Sequence, residues 1–348
     1  MKIFITGATG FIGGRLALKL AMGNNIVHVL YRTEIDNALK NHPNIKLFEG
    51  DLFNKKKLTE AMQGCTQVYH AAGYARVWAN SSDMYYKINV EGTVNVMQCT
   101  KLCGVEKIVF TSSGSTLASS VNGMVNEDDA LMHNLMNDYE RSKFAAESIV
   151  KDFALRGQHI VMVNPTRVFG PGNLTKSNFC TYMIYQYLKG KWRIIPGNGK
   201  FKSNYVFIDD VVNGHLLAMQ RGKPGERYLL GGENAGLNEF FGLLKNVSVV
   251  DHRLIHIPMP IIYGFAYMQL WRAKLFGIDP SITPVFAGKN NYDWSRNCDK
   301  AVNELQYETT PLEAGIRKTV EWLKASQPDL KWSNNAIENN PVTMLISR

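Results

Sequence analysis

The chain has 348 residues, of which 45% are hydrophobic and 20% charged, and its formal net charge is +9 at pH 7. This composition is ordinary for a soluble globular protein, and the length suits a large α/β domain with a smaller second lobe. Because the basic residues are scattered, the charge favours solvated faces and attraction for an anionic cofactor over nucleic-acid binding. No uninterrupted apolar run reaches the roughly 18 residues of a membrane-spanning helix.

The cysteines form no C-x-x-C pair and no zinc-binding spacing, so we expect no bound metal. Their odd number and the absence of a signal peptide predict a reducing, cytoplasmic setting. The five are Cys65, Cys99, Cys103, Cys180 and Cys298.

The first half of the chain alternates short β-rich runs with helical patterns. Strands are predicted at residues 2–6, 26–31, 45–49, 67–70, 107–111 and 160–163. Helices are predicted at residues 12–22, 55–62, 83–102 and 138–155. This alternation predicts a Rossmann-type α/β fold, a doubly wound parallel sheet covered by helices on both faces.

Beyond Gly170 the predicted helices and strands are shorter and alternate less regularly. Helices are predicted at residues 179–189, 209–221 and 237–245, and strands at 205–208 and 227–230. We therefore predict a dinucleotide-binding domain over residues 1–170, to which later strands and helices return. A smaller C-terminal α/β substrate lobe would follow over residues 171–325, and then a polar tail over 326–348.

A glycine-rich turn, Thr6-Gly-Ala-Thr-Gly-Phe-Ile-Gly13, follows the first predicted strand and opens the first helix. In a dinucleotide-binding βαβ unit such glycines allow a tight turn, a close backbone approach to the pyrophosphate and close packing of the helix on the sheet. The helix N-terminus would then face the phosphates. We expect the turn to bind the cofactor through Gly7, Thr9, Gly10, Phe11, Ile12 and Gly13.

Arg32, at the end of the second strand, bears on the choice of cofactor. An Asp or Glu at this place grips the 2′-hydroxyl of NAD, whereas a cation suits the 2′-phosphate of NADP. Arg32 therefore favours NADP, although Glu34 and Asp36 follow closely and leave NAD open.

Two further loops at the same edge of the sheet are expected near the cofactor, with simple loop packing as the alternative for each. Asp51 and Leu52, after the third strand, are placed to meet the adenine. Ala71, Ala72 and Gly73, after the fourth strand, are small residues where a cofactor can pass close to the backbone.

Tyr139 and Lys143 lie four residues apart on a predicted helix and share one face, about 6 Å apart along the axis. An ammonium there can lower the pKa of the phenol from about 10 towards the range of a general acid or base. The fifth strand runs into Thr111-Ser-Ser113, whose hydroxyls can reach a substrate oxygen beside that phenol. A solvated surface helix and an ordinary serine-rich turn are the alternatives.

In chain order these segments resemble the extended short-chain dehydrogenase/reductase family, within the NAD-dependent epimerase/dehydratase superfamily. The resemblance covers residues 1 to about 325. It is carried by Thr6-Gly-Ala-Thr-Gly-Phe-Ile-Gly13, His70-Ala-Ala72, Asn89-Val-Glu-Gly-Thr93, Thr111-Ser-Ser113, Tyr139-x-x-x-Lys143, Asn164-Pro-Thr166, Phe207-Ile-Asp-Asp-Val211 and Tyr292-Asp-Trp-Ser295.

The resemblance implies a catalytic set. Tyr139 would be the proton donor or acceptor, and Lys143 would lower its pKa and hold the nicotinamide ribose. Ser113 would polarise the reacting oxygen, with Ser112 as the substitute if the register of the loop is shifted by one residue.

The resemblance also implies neighbouring roles. Pro165 and Thr166 would lie against the nicotinamide, and Thr111, with Tyr139 and Lys143, would contact the cofactor. Asn89 would brace the active-site helix without taking part in the chemistry.

Three comparisons with the motifs of individual branches indicate which branch of the family the chain resembles. Dehydratases carry an acidic pair after the catalytic Ser or Thr, where this chain has Gly114-Ser-Thr116. Nucleotide-sugar epimerases commonly hold the diphosphate with an Arg where this chain has Ser203, although Lys202 or Arg193 could replace it. Residues 164–172 resemble the dihydroflavonol reductase and 3β-hydroxysteroid dehydrogenase branch, whose substrates are apolar alcohols and ketones.

Residues 257–277 are rich in aromatic side chains and methionine, with Arg272 and Lys274 between them. The pattern suits the wall of an apolar pocket or a helix at a membrane surface. A core helix of the small lobe is the alternative.

The sequence thus predicts an NADP-dependent oxidoreductase that interconverts a ketone and a secondary alcohol on an apolar substrate. One alternative is an NAD(P)-dependent sugar-nucleotide epimerase with the same residues, and another is a non-catalytic NADP-sensing or scaffold protein. By analogy with the family, helices 83–102 and 138–155 could pair two copies as a homodimer.

Overall fold

The computed structural model of the protein describes residues 1–76, 78, 79, 81–120, 123–129, 137–172, 174 and 178–327. Its strands are β1 (Lys2–Thr6), β2 (Ile26–Tyr31), β3 (Ile45–Glu49), β4 (Gln67–His70), β5 (Lys107–Thr111), β6 (Ile160–Pro165), β7 (Arg167–Phe169), β8 (Ile194–Pro196), β9 (Lys202–Phe207), β10 (Arg227–Leu230), β11 (Glu233–Gly236) and β12 (Ile255–Ile257).

Its α-helices are α1 (Phe11–Ala21), α2 (Asn37–Lys40), α3 (Lys55–Met62), α4 (Asp83–Tyr86), α5 (Gly92–Leu102), α6 (Asp138–Leu155), α7 (Phe179–Leu188), α8 (Ile208–Arg221), α9 (Leu237–Ser248), α10 (Met259–Phe276), α11 (Pro284–Gly288) and α12 (Leu312–Ser326). A π-helical segment, Lys87–Glu91, joins α4 to α5, and a second one covers Ala301–Leu305. Short 3-10 helices cover Gly114–Thr116 and Lys289–Asn291.

A seven-stranded sheet in the order β10-β6-β5-β4-β1-β2-β3 forms the centre of the molecule, and all of its neighbouring strands are parallel. The chain moves outward from β1 through β2 to β3, then returns to β4 on the other side of β1. Ligands of such sheets bind beyond the carboxyl ends of the strands where the order reverses, here between β1 and β4. The predicted doubly wound parallel sheet is confirmed.

Helices cover both faces of this sheet, because successive side chains of a strand point to opposite faces. Ile3 and Ile5 of β1 belong to the core on the side of α1 and α8. Phe4, between them, belongs to the core that includes side chains of α3, α5 and α6. Burial on both faces explains why the strands read as continuous apolar runs.

The chain beyond Gly170 builds a smaller sheet, in which β9 pairs with β7 in parallel and with β11 antiparallel. Helix α12 packs on α7, α9 and β9, while β8 and β12 form a separate parallel pair. Strand β10 pairs with β6 and α8 packs on α1, so both return to the main sheet. The boundaries of the predicted domains stay predictions, and residues 328–348 of the predicted tail lie outside the described residues.

Helix α10 leaves most of its apolar surface exposed. Trp271 is 66% exposed and Phe276 68%, and the buried residues of the helix are Ile262, Ala266, Gln269 and Ala273. One face packs on α11 around Ile262 and Ala266, while the rest of the helix is exposed, so α10 is only partly enclosed by a core. Among the described residues no helix is long and apolar enough to cross a membrane. Contact of residues 257–277 with a membrane surface stays a prediction.

Candidate active site

The turn after β1 and the loop after β4 meet in the crevice between these strands. Gly7 has a φ of +78°, and a Cβ on it would lie 2.5 Å from the backbone nitrogen of Ala72. A Cβ on Gly13 would lie 2.2 Å from the carbonyl oxygen of Gly7. Side chains at these positions would collide with backbone, so the glycines allow the close approach that the sequence predicted.

The N-terminus of α1 points into this crevice without a competing anion from the chain. Gly10 is the N-cap residue, and among the described residues no side chain caps the helix and no acidic residue occupies its first turn. The first amide groups of a helix lack partners within the helix and carry partial positive charge, so they attract phosphate. The turn and helix therefore fit the pyrophosphate of a dinucleotide.

A cavity of about 420 Å³ extends from the glycine turn to the end of β5 and the start of α6. Most of the predicted site residues line it: Gly7, Gly10, Phe11, Ile12, Gly13, Ala71, Gly73, Ser113, Tyr139, Pro165 and Thr166. The segments that the sequence analysis singled out separately thus converge on one place.

Other predicted cofactor residues do not line the cavity. Thr9 and Arg32 are exposed, and Arg32 lies at the carboxyl end of β2. The Asp51 carboxylate accepts hydrogen bonds from the backbone N–H groups of Phe53 and Asn54 at 2.8 and 3.0 Å. It therefore shapes its own loop, and its contact with the cofactor stays a prediction.

Three more of these residues are turned towards the protein. Leu52 is buried, and Ala72 packs on the core beside α3 and α5. The Thr111 hydroxyl lies 2.9 Å from Nε2 of His215 on α8, inside the core. The geometry therefore does not support a contact between the Thr111 side chain and the cofactor.

Tyr139 is placed at the cavity by the first turn of α6. The Asn137 side chain caps this helix by accepting a hydrogen bond from the Glu140 N–H at 2.8 Å. Burial raises the pKa of the Tyr139 phenol above its usual value, and a hydrogen bond with the Ser113 side chain acts against that rise. The phenol is therefore protonated at neutral pH and next to Ser113.

The structure distinguishes the two serines after β5. The Ser112 hydroxyl is buried and donates to the Glu147 carboxylate. The Ser113 Oγ lies 2.9 Å from the Ser115 Oγ on the cavity wall. Ser112, Ser113 and Ser115 all line the cavity, but the Ser112 hydroxyl is committed to Glu147, which leaves the hydroxyls of Ser113 and Ser115 to face a substrate oxygen.

Lys143 is buried behind Tyr139, one helical turn along α6. Its Nζ donates to the Thr111 carbonyl at 2.7 Å and lies 4.6 Å from the centre of the Phe110 ring. Burial lowers the pKa of Lys143 to about 8, although Glu147 acts in the opposite direction. Burial is the largest influence on the Tyr139 pKa and raises it, and a lowering of that pKa by Lys143 stays a prediction.

Two buried side chains that the chemistry does not use hold this arrangement. The Asn89 side chain donates to the Ser142 hydroxyl at 2.9 Å and accepts from the Tyr74 N–H at 2.7 Å. It thereby braces α6 against the loop after β4, as the resemblance implied. Glu147, which the sequence analysis did not identify, accepts hydrogen bonds from Ser112, from Thr116 at 2.9 Å and from Asn164 at 2.7 Å.

Sequence reasoning also missed four cations on the cavity wall: Arg76, Arg167, Lys289 and Arg296. Arg167 and Arg296 lie within or beside quoted family motifs, but no spacing marks them as neighbours. Among the described residues that line the cavity, neither Lys202 nor Arg193 is present, and Arg193 Nε instead donates to the Gly190 carbonyl at 2.8 Å. The cations of the site are therefore not those that the sequence suggested in place of Ser203.

A doubly wound sheet with a glycine turn at its crevice and a Ser–Tyr–Lys set beyond β5 defines a dinucleotide-dependent oxidoreductase. The model of the NAD dependent epimerase/dehydratase family matches residues 3–231, and the chain belongs to this family.

Known proteins agree with this assignment over nearly the whole chain. A Synechocystis sp. protein provisionally named dihydroflavonol 4-reductase is 30% identical over 329 residues, 92% of this chain and 94% of that protein. The Mus musculus protein named sterol-4-alpha-carboxylate 3-dehydrogenase, decarboxylating, is 26% identical over 341 residues, 92% of this chain and 90% of that protein. The crystal structure of gox2253 has 29% identity and a TM-score of 0.79, covering 93% of this chain and 98% of its own. The predicted NAD(P)-dependent oxidoreductase of the short-chain dehydrogenase/reductase type is confirmed.

Proposed function

We propose that the protein interconverts a ketone and a secondary alcohol on an apolar substrate, with NADP as the preferred cofactor. The observation that carries this proposal is that Ser113 and Tyr139 lie together on the cavity wall, where the Ser113 side chain acts on the pKa of the phenol. It puts an oxygen-binding group and a proton donor side by side, at the cavity that begins at the dinucleotide turn.

In this reaction Ser113, Tyr139 and Lys143 would each have a distinct role. The dinucleotide, when bound, supplies a hydride to the carbonyl carbon or accepts one from the carbinol. Ser113 donates a hydrogen bond to the substrate oxygen, and Tyr139 gives that oxygen its proton and regains one from water. Since the Tyr139 pKa is raised, the phenol keeps its proton until it is transferred. Lys143 adds a positive charge behind the phenol.

The cavity wall supports an apolar substrate. Phe179, Phe286, Trp294 and Val168 are among the residues that line it. The two relatives named above carry names of enzymes acting on a flavonoid alcohol and on a sterol.

Net consumption of reduced cofactor tests the reaction type. Added apolar ketones should oxidise NADPH in stoichiometric amounts, followed by absorbance, and the alcohol should be identified by mass spectrometry. A sugar-nucleotide epimerase would instead convert its substrate without net change in the cofactor. A protein that binds NADPH but converts neither class would be the non-catalytic sensor.

Arg32 should set the cofactor preference. Because it lies exposed at the end of β2, we expect Arg32→Glu to lower kcat/KM for NADPH about tenfold or more and to improve NADH. The nearby exposed Lys40 is a matched control, and Lys40→Glu should leave the NADPH to NADH ratio unchanged. Equal ratios in wild type and Arg32→Glu would remove Arg32 from cofactor recognition.

The setting of this activity is also a proposal. All five cysteines are free thiols, which suits the reducing cytoplasm. Pairing of two copies through α6 and the helix formed by α4, Lys87–Glu91 and α5 stays a prediction.

A further inference from the structure

Helix α10 is apolar on two sides. Its buried side consists of Ile262, Ala266, Gln269 and Ala273, at helical spacing. A second set of large apolar side chains, also at helical spacing, is exposed and forms the outer face of α10: Ile261, Tyr267, Met268, Trp271 and Leu275. A helix on the surface of a globular protein normally turns polar residues to water and has one apolar stripe. A second, exposed apolar stripe indicates a contact surface.

The charge around the outer face is positive. Residues 252–278 contain no Asp or Glu, and they carry Arg253, Arg272 and Lys274. Arg253 and Lys274 are exposed. A stretch of this length without an acidic residue suits an anionic partner, and the formal net charge of +9 of the whole chain acts in the same direction.

The side chains of the outer face are of the kinds that favour the boundary between water and lipid. Tyr267 is 62% exposed, and Trp271 is exposed to a similar extent. Both combine an apolar ring with a polar O–H or N–H group, and such side chains are enriched where a bilayer meets water. Lys274 can lay its methylene stem beside them while its ammonium reaches a lipid headgroup.

A second copy of the chain fits the outer face less well than a bilayer does. With 18 residues, α10 is about 27 Å long and about 10 Å wide, so its outer face offers about 300 Å². A stable dimer buries about 800 Å² on each partner. A bilayer has no such minimum area, because each apolar side chain that enters it contributes by itself.

Helix α11 connects α10 to the candidate active site. Ile262 and Ala266 of α10 pack with Ala287 of α11. Phe286, also on α11, lines the cavity, and its ring centre lies 5.5 Å from that of Phe179, another residue of the cavity wall. A surface that contacts α10 is therefore linked to the cavity through apolar packing.

We propose that the outer face of α10 binds the surface of a bilayer that contains anionic lipids. The helix lies along this surface, and Trp271 and Leu275 enter the boundary of headgroups and acyl chains to a depth of about 5–10 Å. Its buried side stays packed on the protein. The cavity is thereby held beside the layer in which an apolar substrate dissolves. The docking is independent of the proposed function, whereas this supply of substrate rests on it.

Binding to vesicles tests the docking. The full-length protein is sedimented with large vesicles of phosphatidylcholine, alone or mixed with phosphatidylglycerol, and its partition coefficient is measured. Wild type should bind the mixed vesicles more tightly than the neutral ones. Trp271→Glu and Leu275→Glu should each lower binding to mixed vesicles about tenfold or more, because each removes an inserted apolar side chain and adds a negative charge. Lys274→Gln should lower it about fivefold, and only for mixed vesicles.

Leu155→Glu is the matched control, because it adds the same charge at an exposed leucine at the end of α6. Its vesicle binding should stay within about twofold of wild type. Insertion is measured separately with brominated lipids, which should quench the tryptophan fluorescence of wild type. Trp271→Phe should still bind the vesicles and should lose most of this quenching.

Three results would overturn the docking. The first is that wild type does not bind mixed vesicles, or that Trp271→Glu and Leu155→Glu bind them equally. The second is that quenching by brominated lipids persists in Trp271→Phe. The third is a wild-type dimer in solution, seen by light scattering, that Trp271→Glu dissociates while no vesicle binding occurs, since the outer face would then belong to a second copy.

Turnover of two ketones separates this proposal from the proposed function. Trp271 is not among the described residues that line the cavity, so Trp271→Glu should oxidise NADPH with a short, water-soluble ketone within about twofold of the wild-type rate. With an apolar ketone dissolved in mixed vesicles it should be about tenfold slower than wild type. Equal rates there would remove the supply of substrate through the outer face. Vesicle binding without turnover of any ketone would keep the docking and remove the proposed function, and turnover without vesicle binding would do the reverse.

Discussion

Replacement of Tyr139 by Phe is expected to lower turnover by about 10²–10⁴-fold, the usual contribution of a positioned general acid. The phenol lies at the cavity wall beside Ser113, whose side chain acts on its pKa. Phe keeps the ring and its packing but has no proton to give. Dinucleotide binding, measured by calorimetry, should stay within about twofold, because the variant leaves unchanged the turn with Gly7, Gly10 and Gly13, where we expect the phosphates to bind.

Tyr187→Phe is the matched control for the loss of a phenol elsewhere. Its hydroxyl donates to the Val250 carbonyl at 2.9 Å, within the smaller lobe. We expect this variant to lose some stability and to keep its kcat. A Tyr139→Phe enzyme as active as wild type would exclude Tyr139 as the proton donor, whatever its effect on stability.

Most of the main sheet could be predicted from sequence, because buried parallel strands are short apolar runs bounded by turn residues. The bounds predicted for β1 to β5 are those of the structure, and α6 was predicted with its full length. The strands β7, β8, β11 and β12 were missed, since β7, β8 and β12 have only three residues and β11, Glu-Asn-Ala-Gly, has the composition of a polar turn. Helix α12 was also missed, although Leu312, Ile316, Val320 and Leu323 form a buried stripe at helical spacing.

The residues of the candidate site likewise fall into those that could be recognised from the sequence and those that could not. Tyr139, Lys143 and Ser113 could be recognised because a helix or a strand end fixes their relation locally. The meeting of Arg167, Lys289 and Arg296 on the cavity wall could not be recognised, since it depends on how segments that are distant in the sequence fold together.

Glu147→Gln is expected to reduce the free energy of unfolding by about 3–5 kcal/mol, the usual cost of breaking a buried ion pair from one side. Glu147 is 2% exposed, and its second oxygen lies 3.4 Å from Arg227 Nη1. The Gln amide has the same shape, and its oxygen can still accept hydrogen bonds from Ser112 and Asn164. Its NH₂ group, however, must face Arg227 or one of these two donors, and two donors cannot form a hydrogen bond with each other. The Arg227 guanidinium, whose side chain is only 17% exposed, then loses its one carboxylate partner among the described residues.

Urea denaturation measures this change, and Glu313→Gln is its control. Glu313 pairs with Arg317 on α12 at 2.8 Å, but both side chains are 53% exposed, so this variant should lose less than about 1 kcal/mol. Similar losses in the two variants would show that burial does not strengthen the Glu147 pair.

A Glu147→Gln enzyme should also have a lower kcat, since the loop from Ser112 to Thr116 is held by that carboxylate and carries Ser113. Because Tyr139 and Lys143 stay on α6, this loss should be smaller than that of Tyr139→Phe and should be partly restored by Glu147→Asp.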